Sequence, residues 1–322
     1  MQGPEGTELA QAEGSARNGP YGGKRRRSGR FGETSLPDGA VSMIPAAEPP
    51  ILRTFAPPSA ALRPFVERIW SWESECPVPL PLLLPGTGAD LMLHYRTPFL
   101  ALRADNGDGG AVPAAHLTCL RTHARRLVAP GPVGFVAVRF RTSAIRHLGR
   151  LRMDELIDRF PDAAEHFGPE VDELPARLAS LPDFAARARC VERFLLGRIG
   201  CGAPELAPGD HAVDALYYAE PGATVADVAE DLGYSGRQFE RLVGGAAGMP
   251  PKRFQRIARL NHTLRQLFLA REPDYLDAAL ERGYYDQAHF IHEAGELTGH
   301  TPRELLTPES FLSHFYNPRL PR

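Results

Sequence analysis

The chain reads as α+β: a β-rich, barrel-like N-terminal domain with helices, followed by an all-α domain that carries two helix-turn-helix units. Three observations lead there. Residues 224–254 and 274–305 repeat one pattern: an alanine (Ala229, Ala279) stands four residues before a glycine (Gly233, Gly283), and a tyrosine (Tyr234, Tyr284) follows. In both copies a second glycine (Gly248, Gly299) stands three residues before a proline (Pro251, Pro302). Residues 133–141, VGFVAVRFR, place Phe135, Ala137, Arg139 and Arg141 in alternation with Val136, Val138 and Phe140, the period of a sheet strand. Finally, 322 residues at 43% hydrophobic and 24% charged suffice for two cores.

Residues 1–42 are rich in Gly, Ser, Glu, Pro and Ala, and that composition predicts a disordered tail. Its basic run at residues 24–27 reads as a solvated segment, with DNA phosphate as the functional alternative. Met43 opens the folded part and is a candidate translation start. Residues 43–200 form the N-terminal domain. Leu62, Phe65, Val66, Ile69 and Trp70 have helical spacing, so residues 62–73 are expected as a helix with Pro64 in its first turn. Residues 80–95 read as strand, turn at 85–88, and strand; 105–110 as a loop; 116–120 as a further strand. Ser143 is placed to cap a helix through Leu148, and residues 171–181 and 184–199 read as amphipathic helices.

Residues 201–210 are Gly/Pro-rich and read as a linker that lets the two halves move. The helical domain, 211–322, begins with a helix at 211–218. Within the repeats, Gly233 and Gly283 supply left-handed turns, and Ser235 and Asp286 are N-caps for the second helices. Gln238 completes a capping box with Ser235. Phe239, Leu242 and Phe290 face the core. The second copy has one extra residue, Tyr285, between turn and cap.

No enzyme is expected. The histidines of the N-terminal domain (His94, His116, His123) are isolated, no HxH occurs, and His94 reads as a rim residue. There is no phosphate-binding glycine loop and no nucleophile elbow. Cys76, Cys119, Cys190 and Cys201 have neither finger nor CxxC spacing, so no metal, no cofactor and no disulfide framework is indicated. No run of 18 apolar residues occurs, and the expectation is a cytoplasmic protein without a membrane partner. Trp70, Trp72, Leu83, Met92, Phe135 and Phe140 are candidates to line an apolar effector pocket, with ordinary core packing as the plain alternative. Arg139 and Arg141 are expected at the surface.

At residues 283–290, GYYDQAHF, followed by Gly299, Thr301 and Pro302, the chain resembles the second half of the DNA-binding domain of AraC/XylS-type transcription regulators. The first copy, through GMPPKRF at 248–254, resembles the first half. This resemblance implies two helix-turn-helix units joined by a linking helix, here 252–268, and double-stranded DNA as partner. The pattern of residues 62–72, 83–95 and 129–148 resembles a sensory-type N-terminal domain of a subset of that family. It implies a small-molecule effector, a homodimer, or both, and RNA polymerase as a partner where regulation is activation.

Charge on the helical domain is uneven. Residues 211–322 hold 12 lysines and arginines against 15 aspartates and glutamates. Residues 237–265 nevertheless hold seven basic side chains and one acid, Glu240. Arg237 and Arg241 share a helix face suited to guanine, and Glu240 beside them suits cytosine N4 or holds Arg237. The matching face of the second unit is Gln287, suited to adenine, with Ala288, Ile291 and His292; the first two of those three suit thymine methyls. Gln238, Lys252, Arg253, Arg256 and His289 are the phosphate candidates. The second unit, with Asp286, Glu293 and Glu296, is expected to grip DNA less. The chain departs from the family pattern at Val243, Gly244 and Gly245 and at Ala294, Gly295 and Glu296, which predicts less stiff recognition helices.

Overall fold

The computed structural model describes residues 51–102, 109–141, 144–149, 151–199, 207–270 and 274–306. The tail, its basic run, Met43, Ser143, Cys201 and most of the expected linker lie outside the described residues. Among the described residues, eight strands and ten α-helices follow in order.

The strands are β1 (Leu52–Ala56), β2 (Val66–Ser74), β3 (Asp90–His94), β4 (Leu100–Leu102), β5 (Gly109–Ala111), β6 (Ala115–Thr118), β7 (Leu127–Val128) and β8 (Val133–Phe140). They form a five-stranded antiparallel sheet in the order β1-β2-β8-β3-β6 and a three-stranded sheet β5-β4-β7. Neither sheet closes on itself among the described residues, so two open sheets replace the barrel-like expectation.

The stretch expected as a helix at 62–73 is instead a turn leading into β2. The Leu62 carbonyl accepts from Phe65 N–H at 2.9 Å and Val66 N–H at 2.8 Å. The residues that follow pair with β8 through a bulge between Val66 and Arg68. A strand buried on both faces loses its polar alternation, and its apolar residues then match a helix template by chance. Here Ile69, Trp70, Ser71 and Trp72 are all buried. The β-branched and aromatic content favoured the strand. Of residues 80–95 only β3 is a strand; Leu83 makes an isolated bridge to Arg125. Gly109 and Gly110, expected in a loop, belong to β5.

Arg139 is not at the surface. It is buried in β8, and its Nη1 donates to Asp90 Oδ2 at 2.8 Å. Burial pulls the guanidinium pKa down; the Asp90 and Glu67 carboxylates more than restore it. Strand register explains the pairing, because Asp90 lies directly opposite Arg139. Arg141 is exposed, as expected.

After β8 come a 3-10 turn at Ala144–His147, another at Met153–Glu155, and α1 (Ala164–Phe167). The helix expected at 171–181 divides into a 3-10 turn, Pro169–Glu173, and α2 (Leu174–Ala179), with Pro175 at the start of α2. α3 spans Phe184–Ile199, as its periodicity predicts. The helical half comprises α4 (Pro208–Tyr217), α5 (Val225–Asp231), α6 (Gly236–Ala247), α7 (Pro251–Leu269), α8 (Tyr275–Leu280), α9 (Gln287–Thr298) and α10 (Pro302–Leu305). No helix among the described residues is long and apolar enough to cross a membrane.

One cluster of buried side chains runs through both halves, from Leu62 in the sheet region to Leu305 in α10. The halves are also tied by polar contacts. Asp210 in α4 is buried, and it accepts from Arg146 Nε at 3.0 Å. Its other oxygen lies 2.7 Å from His147 Nε2 and accepts from the Ala207 N–H at 2.8 Å. The end of α6 meets the sheet half at Gly248, whose missing Cβ would fall 2.5 Å from the Met153 carbonyl carbon. α4 is held to the N-terminal half by a buried carboxylate.

The turn glycines have the expected left-handed backbone, φ +72° at Gly233 and +78° at Gly283. At Gly283 a Cβ would also lie 2.5 Å from the Gly222 nitrogen, where the loop before α5 packs on the second turn. Gly299, at φ +74°, has open space around it. Gly299→Ala therefore carries only the left-handed backbone cost, about 1–2 kcal/mol. Gly283→Ala adds a backbone clash and is expected to destabilise by clearly more. Urea unfolding of the two variants beside the parent checks the order; equal costs would remove the clash at Gly222 from the account.

Candidate nucleic-acid interface

Each repeat builds a short first helix, a glycine turn and a capped second helix. In the first unit, α5 opens on a Thr224–Asp227 capping box, and the turn brings Tyr234 N–H to the Ala229 carbonyl at 2.8 Å. α6 opens on Ser235, whose Oγ accepts from Gln238 N–H while Gln238 Oε1 accepts from Ser235 N–H at 3.1 Å. The second unit repeats this: Tyr284 N–H reaches Ala279 O at 3.0 Å, and Asp286 accepts from His289 N–H at 2.7 Å. Both second helices run unbroken for 12 residues and end on left-handed glycines, Gly248 and Gly299, despite the internal Gly244, Gly245 and Gly295.

On α6, Phe239, Val243, Ala246 and Ala247 are buried. Arg237, Gln238, Glu240 and Arg241 are exposed and line one shallow surface groove with Met249 and Pro250. Phe239 is fully buried and Leu242 half-buried. No ion pair or hydrogen bond among the described residues engages the side chains of Arg237, Glu240 or Arg241, so Glu240 does not hold Arg237 here. Gln238 is committed to the cap through its Oε1. On α9, Gln287, Ala288, His289, Ile291 and His292 are exposed, while Phe290, Glu293, Ala294 and Leu297 are buried. The His289 ring accepts from the Tyr285 N–H at 3.4 Å.

α7 is the linking helix. Lys252 and Arg253 sit exposed in its first turn, and Lys252 shares a cleft with His289 and His292 of α9. Arg256 differs from its assignment as a phosphate contact. Its Nε donates to Glu293 Oε2 at 2.9 Å, and its Nη2 pairs with Glu296. Arg259 grips the same carboxylate, with Nη2 donating at 2.8 Å, and its guanidinium lies 4.3 Å from the centre of the Tyr284 ring. The Tyr284 hydroxyl donates to Glu293 Oε1 at 2.8 Å.

Glu293 is thus a buried acid that binds two arginines and a tyrosine. Burial pushes its pKa up, but the hydrogen bonds from Arg259 and Arg256 outweigh this and hold the carboxyl below its ordinary value. Burial and the Glu293 charge keep the Tyr284 phenol protonated. The acids Glu293 and Glu296 around α9 were the ground for expecting a weaker grip on DNA by the second unit. Their charges are instead met by Arg256, and Glu296 also lies 3.4 Å from His292. The sequence signal was present: Arg256 and Arg259 stand three apart on α7, and a buried tyrosine needs a partner for its hydroxyl.

In the N-terminal half, Trp70, Trp72, Met92 and Phe135 do come together, on one face of the five-stranded sheet. Phe140 lies on the opposite face, in the larger cluster, because odd and even positions of β8 point to opposite sides. Leu83 is half-buried and belongs to neither group of core residues. His94, expected at a rim, is buried beside Phe135 and Phe99. Among the described residues no group of His, Cys, Asp and Glu could hold a metal ion.

Glu293→Gln keeps the shape but removes the charge that two arginines share. Its expected cost is about 2–3 kcal/mol, below the full buried-pair value because both arginines are partly exposed. A carboxyl held below its ordinary pKa contributes stability above that pKa and loses it as pH falls. The parent should therefore lose more stability than Glu293→Gln as pH is lowered through the carboxylate range. Urea unfolding at neutral and acid pH reads both effects; parallel pH profiles would contradict the assignment.

A helix-turn-helix domain family matches residues 228–307, and a domain of unknown function (DUF6597) matches residues 54–162. No curated protein matches the chain. Among solved structures, ToxT from Vibrio cholerae is similar at 9% identity, over 81% of this chain and 98% of that one, with a TM-score of 0.42. ToxT from Vibrio cholerae O395 bound to (E)-4-(8-methylnaphthalen-1-yl)but-3-enoic acid is similar at 11% identity, over 81% and 100%, with a TM-score of 0.41. The capped, glycine-turned repeats and the family match agree: the C-terminal part of this chain is an AraC-type helix-turn-helix domain, the DNA-binding part of a transcription regulator.

Proposed function

We propose that the chain reads a specific duplex sequence with the exposed faces of α6 and α9. The observation that carries this reading is the pair Arg237 and Arg241, four residues apart on a helix fixed by its capping box, exposed and engaged by no acid among the described residues. An arginine in that state can place two parallel donors on guanine O6 and N7. Glu240 beside them suits a cytosine amino group. On α9, Gln287 suits adenine, Ala288 and Ile291 suit thymine methyls, and His292 completes the face.

Lys252 and Arg253 serve as phosphate contacts, since they are exposed at the start of α7 and unpaired among the described residues. His289 joins them from α9. Arg256 is left out of this set, because its guanidinium is spent on Glu293 and Glu296. The two acids and two arginines of this cluster cancel, so the local charge that DNA meets is set by the unpaired side chains of α6 and of the start of α7.

The N-terminal half, in this reading, responds to a small molecule and supports a homodimer, with RNA polymerase a partner where the regulation is activation. Its core is continuous with that of the helical half, which gives a route by which a bound molecule alters the presentation of α6.

Arg241→Ala should weaken specific binding by about 1–3 kcal/mol and flatten the preference at one base pair. Arg253→Ala should weaken binding to all duplexes alike and lower the salt slope by about one phosphate. Titration of a panel of single-base operator variants at several salt concentrations checks both. An unchanged preference profile in Arg241→Ala would overturn the assignment of α6.

A further inference from the structure

The recognition helices of the two units carry different cations. α6 holds Arg237 and Arg241; α9 holds no lysine or arginine, and its basic side chains are His289 and His292. The caps put the two helices in register. Arg241 stands six residues after Ser235, and His292 six after Asp286. An imidazole thus occupies the place where the first unit has a permanent charge. Both histidines are exposed and line an open cleft of about 460 Å³ between α7 and α9.

The other groups around this cleft set its charge. From α7 come Lys252, Arg256 and Arg259; from α9 come Glu293 and Glu296. The two acids are met by the two arginines, so these four cancel. Asp286 caps α9 by accepting from the His289 N–H. The Tyr284 ring centre lies 5.2 Å from that of His289, and its hydroxyl donates to Glu293. Lys252 is exposed and engaged by no acid among the described residues. One permanent positive charge is therefore left at the cleft. The two imidazoles differ. His289 Nδ1 accepts from the Tyr285 N–H at 3.4 Å, so the neutral ring carries its proton on Nε2 and donates without gaining charge. His292 makes no such backbone bond among the described residues; its Nε2 lies 3.4 Å from Glu296 Oε1.

We infer that this cleft seats one phosphate of the duplex backbone, and that filling the seat takes up a proton on His292. Lys252 supplies the permanent charge, His289 Nε2–H a neutral donor, and His292 a second charge once protonated. The inference rests on the proposal that the chain reads duplex DNA, and it adds a condition: the grip of the second unit depends on pH. Imidazole is the side chain whose charge ordinarily changes between about pH 5 and 8. A ring that gains an anionic partner holds its proton more tightly in the complex than in the free protein. DNA affinity is then highest below the imidazole range and falls as pH rises through it. The first unit, with arginines, keeps its charge throughout.

A duplex enriched by the full chain from a random pool at about pH 6 is titrated at that pH and at about pH 8, at several salt concentrations. Affinity should fall about fivefold or more between the two, within the reach of one linked proton. The salt slope should shrink by about one phosphate over the same interval. His292→Gln should flatten the pH profile. His292→Arg should carry the affinity and salt slope of the acid side up to the alkaline side. His289→Gln should weaken binding at both pH values and leave the profile in place. Circular dichroism and thermal midpoints at each pH verify that the variants fold. Replacing duplex phosphates one at a time by methylphosphonates should find one position at which the pH dependence is lost. A pH-independent affinity in the parent, the parent's profile in His292→Gln, or a pH dependence that survives every methylphosphonate would overturn the seat. A pool that yields no bound duplex removes the underlying reading of specific duplex recognition, and the seat with it.

Discussion

The carboxylate of Glu293 fixes the geometry of the second docking unit. It is buried on α9 and takes hydrogen bonds from Arg256 and Arg259 on α7 and from the Tyr284 hydroxyl in the turn. Three elements thereby meet at one group: the linking helix, the glycine turn and the recognition helix. The first unit solves the same problem without charge. There Leu242 stands where α9 has Glu293, three residues after the buried phenylalanine. A buried carboxylate is costly to desolvate, and its arginines offset that cost only in one geometry. The pairing therefore specifies the angle between α7 and α9 more than it adds stability. It also takes Arg256 and Arg259 out of the set that can face DNA and leaves Arg253 at the start of α7 beside Arg237 and Arg241 of α6.

Much of this was legible in the sequence, and the reasons differ by half. In the helical half, local chemistry decides local structure. Ser235 with Gln238, Asp286, and Gly233 and Gly283 each fix one turn or cap through contacts a few residues away. Such signals survive in a single sequence. The N-terminal half was harder, because strand identity there depends on partners far along the chain. Residues 66–74 pair with β8, which lies some 65 residues on, and their two faces are buried in two separate core clusters; nothing within the segment reveals that. Arg139 was misplaced for the same reason: its partner Asp90 is 49 residues away. Phe140 fell on the wrong side because a one-residue difference in a strand reverses the face.

The two halves share a continuous core and a polar tie at Asp210. Asp210 sits in the first turn of α4, where its carboxylate also accepts from the N–H of the N-cap residue Ala207. An acid at a helix start is common on local grounds; its capture of Arg146 and His147 across more than 60 residues was not legible. Because α4 packs on α6, a displacement of this tie reaches the recognition helix through direct contact. The close approach of Gly248 to Met153 gives a second point of contact between sheet half and α6. Under the proposed ligand response, coupling between the halves would run through these two joints rather than through a long-range relay.

The account stands on sequence-specific duplex recognition by two units in one chain, and selection from a random duplex pool tests it most directly. The full chain is used to enrich binding duplexes at one fixed salt concentration, and the enriched pool is sequenced and titrated. Two recognition helices in one chain predict two short conserved blocks separated by about one helical turn, roughly 10 base pairs. The selected duplex should bind at least about a thousandfold tighter than unselected DNA. A pool that gains no consensus, or affinity that depends on salt alone and not on sequence, would contradict it.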